Sequence, residues 1–234
     1  MQNEKIVVVI PTYDERDNVS PMVDAVLSRG ENIELLFVDD NSPDGTGELI
    51  DEIAGVNKRV SCLHRQKKDG LGRAYVAGFR RALEMGADKV VQMDCDFSHD
   101  PKDIKRLAGT DAELTIGSRY VPGGSTPSWP FKRRLISRLG GIFIRTVTGM
   151  PLRDPTGGFK CWTRAALEKL DLDSVESSGY SFQLEMNHRA WKRDIKTLEL
   201  PIVFTDRVAG YSKITAAIAV ESIKIALKLR FGRK

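Results

Sequence analysis

The sequence predicts an α/β protein with a mostly parallel central sheet and helices on both faces. Short β-branched runs alternate with stretches of helical periodicity through the first half of the chain, which is the pattern of repeated βαβ units. Polar, acid-rich loops follow the predicted strands, where open parallel sheets bind ligands. The composition is that of a globular domain: of 234 residues, 41% are hydrophobic and 29% charged, enough apolar material for a substantial core.

In chain order, the run Ile6–Ile10 reads as the first strand and Asn18–Ser28 as its helix. Glu34–Val38 and Thr46–Ile53 form the second pair, Val60–Leu63 and Arg73–Met85 the third, and Lys89–Met93 and Lys102–Leu107 the fourth. Glu113–Gly117 reads as a fifth strand. Asp100-Pro101 has the form of an N-cap followed by the first residue of a helix. After about residue 119 the pattern changes to a Pro/Gly/Ser loop, Val121–Pro130, and then to Lys132-Arg-Arg-Leu-Ile-Ser-Arg138. Leu135, Ile136, Leu139, Ile142 and Phe143 recur there at helical spacing. The segment Ile214–Phe231 is helical too, with Glu221, Lys224 and Lys228 on one stripe and Arg230, Arg233 and Lys234 at its end. Two readings of these basic helices stand: they pack on the protein's own sheet, or they lie in a membrane interface. The second half reads as an elaboration of the sheet and not as a repeat.

The net charge of +4 conceals an asymmetry, because residues 1–110 carry 15 basic and 20 acidic side chains while residues 111–234 carry 21 and 12. The two halves are expected to handle different chemistry. Cys62, Cys95 and Cys161 are odd in number and widely spaced, which suggests neither a disulfide framework nor a zinc knuckle and fits a reducing cytoplasm. The start of the chain lacks the pattern of a signal peptide, and no apolar run is long enough to span a bilayer, so membrane contact is expected to be peripheral. Gly70-Leu-Gly72 lacks the third glycine of a dinucleotide fingerprint and follows Lys67-Lys-Asp69, not a strand; there is no Walker A sequence. There is no G-x-S-x-G elbow, the three histidines are scattered, and no motif for nucleic acid occurs.

The chemistry gathers in three acidic loops: Pro11–Glu15, Asp39–Thr46 and Asp94-Cys-Asp96. Asp94 and Asp96 are expected to leave a strand two residues apart, with side chains on one face. A hard divalent cation with oxygen ligands, Mg²⁺ or Mn²⁺, suits such a pair and typically bridges carboxylates to phosphates. The alternative is a turn whose aspartates only cap the next helix.

Together, Pro11-Thr-Tyr-x-Glu15, Val38-Asp-Asp-Asn-Ser-Pro-Asp-Gly-Thr46, Asp94-x-Asp96, Gly117-Ser-Arg-Tyr120 and Asp154-x-Thr-Gly-Gly-Phe159 resemble the inverting family 2 glycosyltransferases of GT-A fold. Met93–Pro101, Gly179–Met186 and Phe204–Lys213 resemble, within that family, the polyprenol (dolichol) phosphate mannosyltransferases, whose substrates are GDP-mannose and polyprenyl or dolichyl phosphate. The resemblance runs to about Lys213. It implies a catalytic domain over 1–213, followed by a basic amphipathic helix at 214–234. It places Pro11, Tyr13, Glu15 and Asp40 at the donor nucleotide, and Asp94, Cys95 and Asp96 at the metal and diphosphate, with the two aspartates as metal ligands. It places Arg119, Arg133 and Ser137 at the acceptor phosphate, and Arg207 at the donor diphosphate, with Ser212 and Lys213 in the same loop. Asp96, Arg119, Arg133 and Arg207 are the implied catalytic set. Asp14 stands where many relatives have Asn, and Ser98 where some supply a Gln to the metal. The implied partners are the cytoplasmic face of a membrane and, in some members, a separate anchoring subunit. Alternatives are a UDP-glucose-dependent polyprenyl phosphate glucosyltransferase, a family 2 transferase to a soluble glycan or protein, and a non-catalytic scaffold on the same fold. A phosphate monoester is largely ionised at neutral pH, its second pKa being about 6, so the implied reaction needs no protein base.

Overall fold

The protein, analysed as a computed structural model, is described over residues 4–179, 181–206 and 216–231, with side chains in the last stretch from 223 onward. Seven strands form one sheet in the order β3-β2-β1-β4-β6-β5-β7. They are β1 (Ile6–Thr12), β2 (Ile33–Asp39), β3 (Val60–His64), β4 (Lys89–Gln92), β5 (Leu114–Ser118), β6 (Lys160–Thr163) and β7 (Thr197–Pro201). The helices are α1 (Arg16–Leu27), α2 (Thr46–Val56), α3 (Leu71–Glu84), α4 (Ile104–Ala108), α5 (Phe131–Thr148), α6 (Arg164–Lys169), α7 (Phe182–Lys192) and α8 (Ala216–Phe231).

The first half follows the sequence reading. β1 pairs in parallel with β2 and β4, and β2 with β3. Residues of β1 are buried on both sides, as a central parallel strand requires. Val7 and Val9 join one core with Leu36, Val38, Phe79 and Trp162. Val8 and Ile10 join the other with Leu35, Phe37 and Val19. Asp100 caps as expected, accepting from the Lys102 amide at 2.9 Å. The Gly70/Gly72 pair has a packing role. Gly70 takes φ +92°, and the Gly72 amide donates to the Ser178 carbonyl at 2.7 Å, so close that a Cβ on Gly72 would lie 2.3 Å from the Ser177 carbonyl.

The second half adds two strands that the sequence pattern does not announce. β6 is four residues long and runs antiparallel between β4 and β5, while β7 pairs in parallel with β5. This reversal matters for position. β1, β2, β4 and β5 end at one edge of the sheet, and β6 begins there, so its preceding segment Asp154–Phe159 joins the loops after those strands. β7 delivers residues 202–206 to the same edge.

Candidate active site

The first two loops are tied together by Asp39. Its carboxylate accepts from the Thr12 hydroxyl at 3.0 Å, from the Ser42 hydroxyl at 2.6 Å and from the Ser42 amide at 3.0 Å. The Ser42 hydroxyl in turn accepts from the Asp14 amide at 3.2 Å. Asp14 and Asn41 adopt left-handed backbone, at φ +56° and +59°, the kind of conformation that concentrates at ligand sites. Asp40 is buried and ion-paired with Arg65. Burial raises its carboxyl above the ordinary range, and Arg65 only partly offsets this. Lys68 lies over the Tyr13 ring, 3.4 Å from its centroid. Glu15 accepts from Asn18 at 2.7 Å and its amide donates to Thr46 at 3.1 Å. Pro11 at the end of β1 and Tyr13 and Glu15 in the loop after it remain partly open, while the buried Asp40 stands in the loop after β2, at the same sheet edge.

The acidic turn differs from the expected pleat. β4 ends at Gln92, so strand alternation does not set the direction of Asp94 and Asp96; a tight turn does, with Phe97 at φ +59°. Such a value is unusual for a bulky side chain. Asp94 accepts from the Tyr75 hydroxyl at 3.1 Å. Its amide donates to His99 Nδ1 at 3.1 Å. His99 is fully enclosed and stacked on Phe159 at 4.9 Å, and burial pushes its pKa down, so it is a neutral acceptor that fixes the turn. Asp96 is buried and accepts from the Ser98 amide at 3.0 Å. The Ser98 hydroxyl beside it is buried with no partner among the described residues. Two carboxylates and an orphaned hydroxyl form an all-oxygen donor set, which fits a hard divalent cation. The Cys95 side chain is packed in the core, where burial raises its thiol well above the ordinary range, so it offers the pocket no side chain.

The basic side is organised around aromatic rings. Arg119 is clamped by Asp154, which accepts from its backbone amide at 3.0 Å, from Nε at 2.7 Å and from Nη2 at 2.7 Å. Burial alone would raise the Asp154 carboxyl; Arg119 overcomes that and holds it below the ordinary range. Of the three candidate arginines on α5, Arg133 points inward while Arg134 and Arg138 are exposed. Arg133 stacks on the buried Trp129, 4.0 Å from its centroid, and Arg119 lies 5.5 Å from the same ring. Ser137, one turn beyond Arg133, accepts from the Tyr120 hydroxyl at 2.6 Å. The structure therefore brings Arg119, Arg133 and Ser137 together. The outer face of α5 is apolar and open: Phe131 is 71% exposed, Ile136 67% and Leu139 55%. Packing of this face on the protein's own sheet is thereby excluded among the described residues. Arg207, Ser212 and Lys213, and the proposed boundary at 213/214, lie outside the described residues.

The family model for Glycosyl transferase family 2 matches residues 7–171, spanning the acidic loops and the Asp154–Phe159 segment. The chain belongs to glycosyltransferase family 2. It is 42% identical over 218 residues to the polyprenol monophosphomannose synthase of Mycolicibacterium smegmatis, covering 92% of this chain and 82% of that protein. It is 41% identical over 221 residues to the undecaprenyl-phosphate mannosyltransferase of Micrococcus luteus, covering 94% and 91%. A solved structure of glucosyl-3-phosphoglycerate synthase from Mycobacterium tuberculosis, in complex with Mn²⁺, UDP and glucosyl-3-phosphoglycerate, superposes with a TM-score of 0.69 at 19% identity, covering 99% of this chain and 81% of that one. That likeness shows the GT-A fold.

In this family 2 glycosyltransferase several site residues carry no motif signal of their own. Arg65 and Lys68 come from the loop after β3 and reach across to Asp40 and Tyr13. His99 is readable only through its spacing of five from Asp94 inside a turn. Asp154 was visible as part of a motif, but its burial against Arg119 was not. Asp51, Cys62 and His64 are the one trio of metal-type ligands close together among the described residues. Burial, then Asp51 and Asp39, push the Cys62 thiol up to about 12, and His64 bonds Asp51 at 3.0 Å, which suits a surface ion pair.

Proposed function

We propose that this glycosyltransferase moves mannose from GDP-mannose to polyprenyl or dolichyl phosphate, with inversion at the anomeric carbon, at the cytoplasmic face of a membrane. The observation that carries the proposal is the adjacency of three features along one sheet edge: the acidic loops, the Trp129–Arg119–Arg133 cluster and the open apolar face of α5. The two relatives named for mannosyl transfer to polyprenyl carriers support the substrate class.

Pro11, Tyr13, Glu15 and Asp40 would line the nucleotide pocket. Asp94 and Asp96 would hold Mg²⁺ or Mn²⁺, with Ser98 or water beside them. Bound there, the cation would supply Lewis-acid neutralisation of the charge that builds on the departing diphosphate. Arg207 is proposed for the same diphosphate. An oxygen of the acceptor phosphate attacks the anomeric carbon from the opposite face as its bond to the donor diphosphate breaks. The acceptor monoester is largely ionised at neutral pH, so the chain need only orient it. Arg133 and Ser137 are proposed to do that, which a guanidinium fork's match to phosphate oxygens supports. Arg119 is already neutralised by Asp154 and is proposed to contribute mainly by fixing the wall that holds Trp129.

The acceptor's chain is apolar, and the face beside Arg133 suits its membrane. Phe131, Leu135, Leu139 and Ile142 are exposed on α5, between the exposed Lys132, Arg134 and Arg138. On α8, which packs against α5, Ile223, Leu227 and Phe231 are exposed next to Lys224, Lys228 and Arg230. Apolar residues flanked by basic ones favour a lipid interface with anionic headgroups. No helix among the described residues is long and apolar enough to cross a membrane.

The test is transfer by purified protein from sugar-labelled GDP-mannose or UDP-glucose into polyprenyl phosphate in lipid vesicles, with divalent metal or chelator. Metal-dependent mannose label in the organic extract is expected. Label from UDP-glucose alone, or none from a folded protein, overturns the proposal.

A further inference from the structure

The two arginines of the acceptor side are held differently. Arg119 is locked by a carboxylate with 0% exposure through three hydrogen bonds. Arg133 is held by Asp206, whose side chain is 42% exposed, through a single bond from Nη1 at 2.8 Å. The Nε of Arg133 is buried and has no partner among the described residues. A donor in that state costs free energy until something accepts from it. Arg133 therefore presents one orphaned N–H and one N–H capped by an exchangeable anion.

We propose that Asp206 is a placeholder for the acceptor's phosphate on Arg133, and that it selects doubly charged phosphate monoesters while helping to release the singly charged product. This rests on the mannosyl transfer proposed above. A carboxylate carries one negative charge, whereas a phosphate monoester carries about 1.5 to 2 at pH 7. A monoester outcompetes Asp206 for Arg133 by charge, and the Nε–Nη2 edge of the guanidinium, which includes the orphaned Nε, offers it a two-bond fork that Asp206 on Nη1 does not use. Formation of the bond from phosphate oxygen to anomeric carbon turns that monoester into a diester with a single charge. The advantage in charge disappears at that moment, and Asp206 recovers Arg133 as the product leaves. Neutral prenols and singly charged lipid diesters would fail to displace it in the first place.

The segment carrying Asp206 is fixed independently of the ion pair. The Asp206 amide donates to Ser128 Oγ at 2.8 Å, and the Phe204 amide to the Ser125 carbonyl at 2.9 Å. Loss of the carboxylate charge therefore leaves the segment in place.

The experiment compares wild type with Asp206→Asn and Asp206→Ala in initial-rate assays on polyprenyl phosphate, and in equilibrium binding of polyprenyl phosphate and of its monomethyl ester in nanodiscs. Exposed ion pairs are weak, so the expected change is a fall of about two- to fivefold in acceptor KM. Product inhibition should strengthen by at least as much, monomethyl ester binding should tighten, donor KM should stay unchanged, and the thermal midpoint should fall by no more than about 1–4 °C, as loss of one exposed pair allows. Ser128→Ala, which removes the amide's partner and keeps the ion pair, should leave acceptor KM alone. An unchanged or raised acceptor KM in a variant that folds normally overturns the placeholder and leaves mannosyl transfer standing. Tighter monoester and monomethyl ester binding by Asp206→Asn, together with a wild type that binds polyprenyl phosphate but transfers no sugar, overturns the transfer and leaves the placeholder standing. A wild type that neither transfers to polyprenyl phosphate nor binds it overturns both.

Discussion

Asp154→Asn isolates the buried Arg119–Asp154 ion pair beside the proposed acceptor side. The carboxylate is 0% exposed and the Arg119 side chain 11%. Asn keeps the shape and one acceptor but leaves the guanidinium buried and uncompensated. Breaking a buried pair by removing one partner costs about 3–5 kcal/mol. For a chain of this size each kcal/mol moves the melting midpoint by about 2–4 °C, so the expected fall is roughly 6–20 °C. Circular dichroism melts at pH 7 measure it directly. The pH dependence supplies a second reading with a definite sign. Because the folded Asp154 carboxyl lies below its ordinary 3.8, its contribution is complete above that value and is lost as pH falls through the folded value. The gap between wild type and variant should therefore close in acid. Arg119→Met with Asp154→Leu should recover much of the lost stability, since removing both charges is often neutral. A single variant within about 1 kcal/mol of wild type, or a double variant no better than the single, refutes the reasoning.

Three further outcomes are expected. Asp96→Ala should lower transfer by roughly 100-fold or more while circular dichroism stays native, as loss of a group that stabilises developing charge does; retained activity removes the proposed cation site. Leu135→Glu with Leu139→Glu, both exposed, should leave the melting midpoint unchanged and abolish flotation with anionic vesicles; unchanged flotation removes α5 from the membrane contact. Lys160 is fully buried among Gln183, Gln92 and Trp162, and burial pushes its pKa down from 10.5 to about 7. The unfolded state then binds the extra proton between those values, so wild-type stability relative to Lys160→Met should rise with pH across about 7 to 10.5; a flat difference in urea titrations contradicts this.

The first half of the fold was legible because its strands are short β-branched runs separated by helices of ordinary length, and each acidic loop follows a strand. β6 and β7 escaped for a physical reason. β6 has four residues, including the buried Lys160 and Trp162, which satisfy each other's polar groups through Gln92 and Gln183 and so imitate no strand period. β7 is only partly buried, and Glu199 accepts from the Arg153 and Asp154 amides at 2.7 and 2.8 Å, a use invisible to hydropathy. The site divides similarly. Asp94 and Asp96 announce themselves, yet Asp94 is held by the ring of His99 and the hydroxyl of Tyr75, which lies 19 residues upstream on α3, and Asp96 accepts from the Ser98 amide. Sequence spacing could not say which of Arg133, Arg134 and Arg138 turns inward. That depends on Trp129, which precedes α5 and supplies the ring on which, of these three, Arg133 stacks.

The central claim is that the acceptor's own phosphate, held by Arg133 and Ser137, does the work of a base. The pH dependence of kcat/KM for the acceptor tests it most directly, measured with polyprenyl phosphate and with a phosphonate analogue that ionises at higher pH. The account predicts an acid limb near the acceptor's second pKa, about 6, that moves upward with the analogue. An acid limb that stays fixed when the acceptor's pKa changes would assign the proton to a protein group and contradict the account.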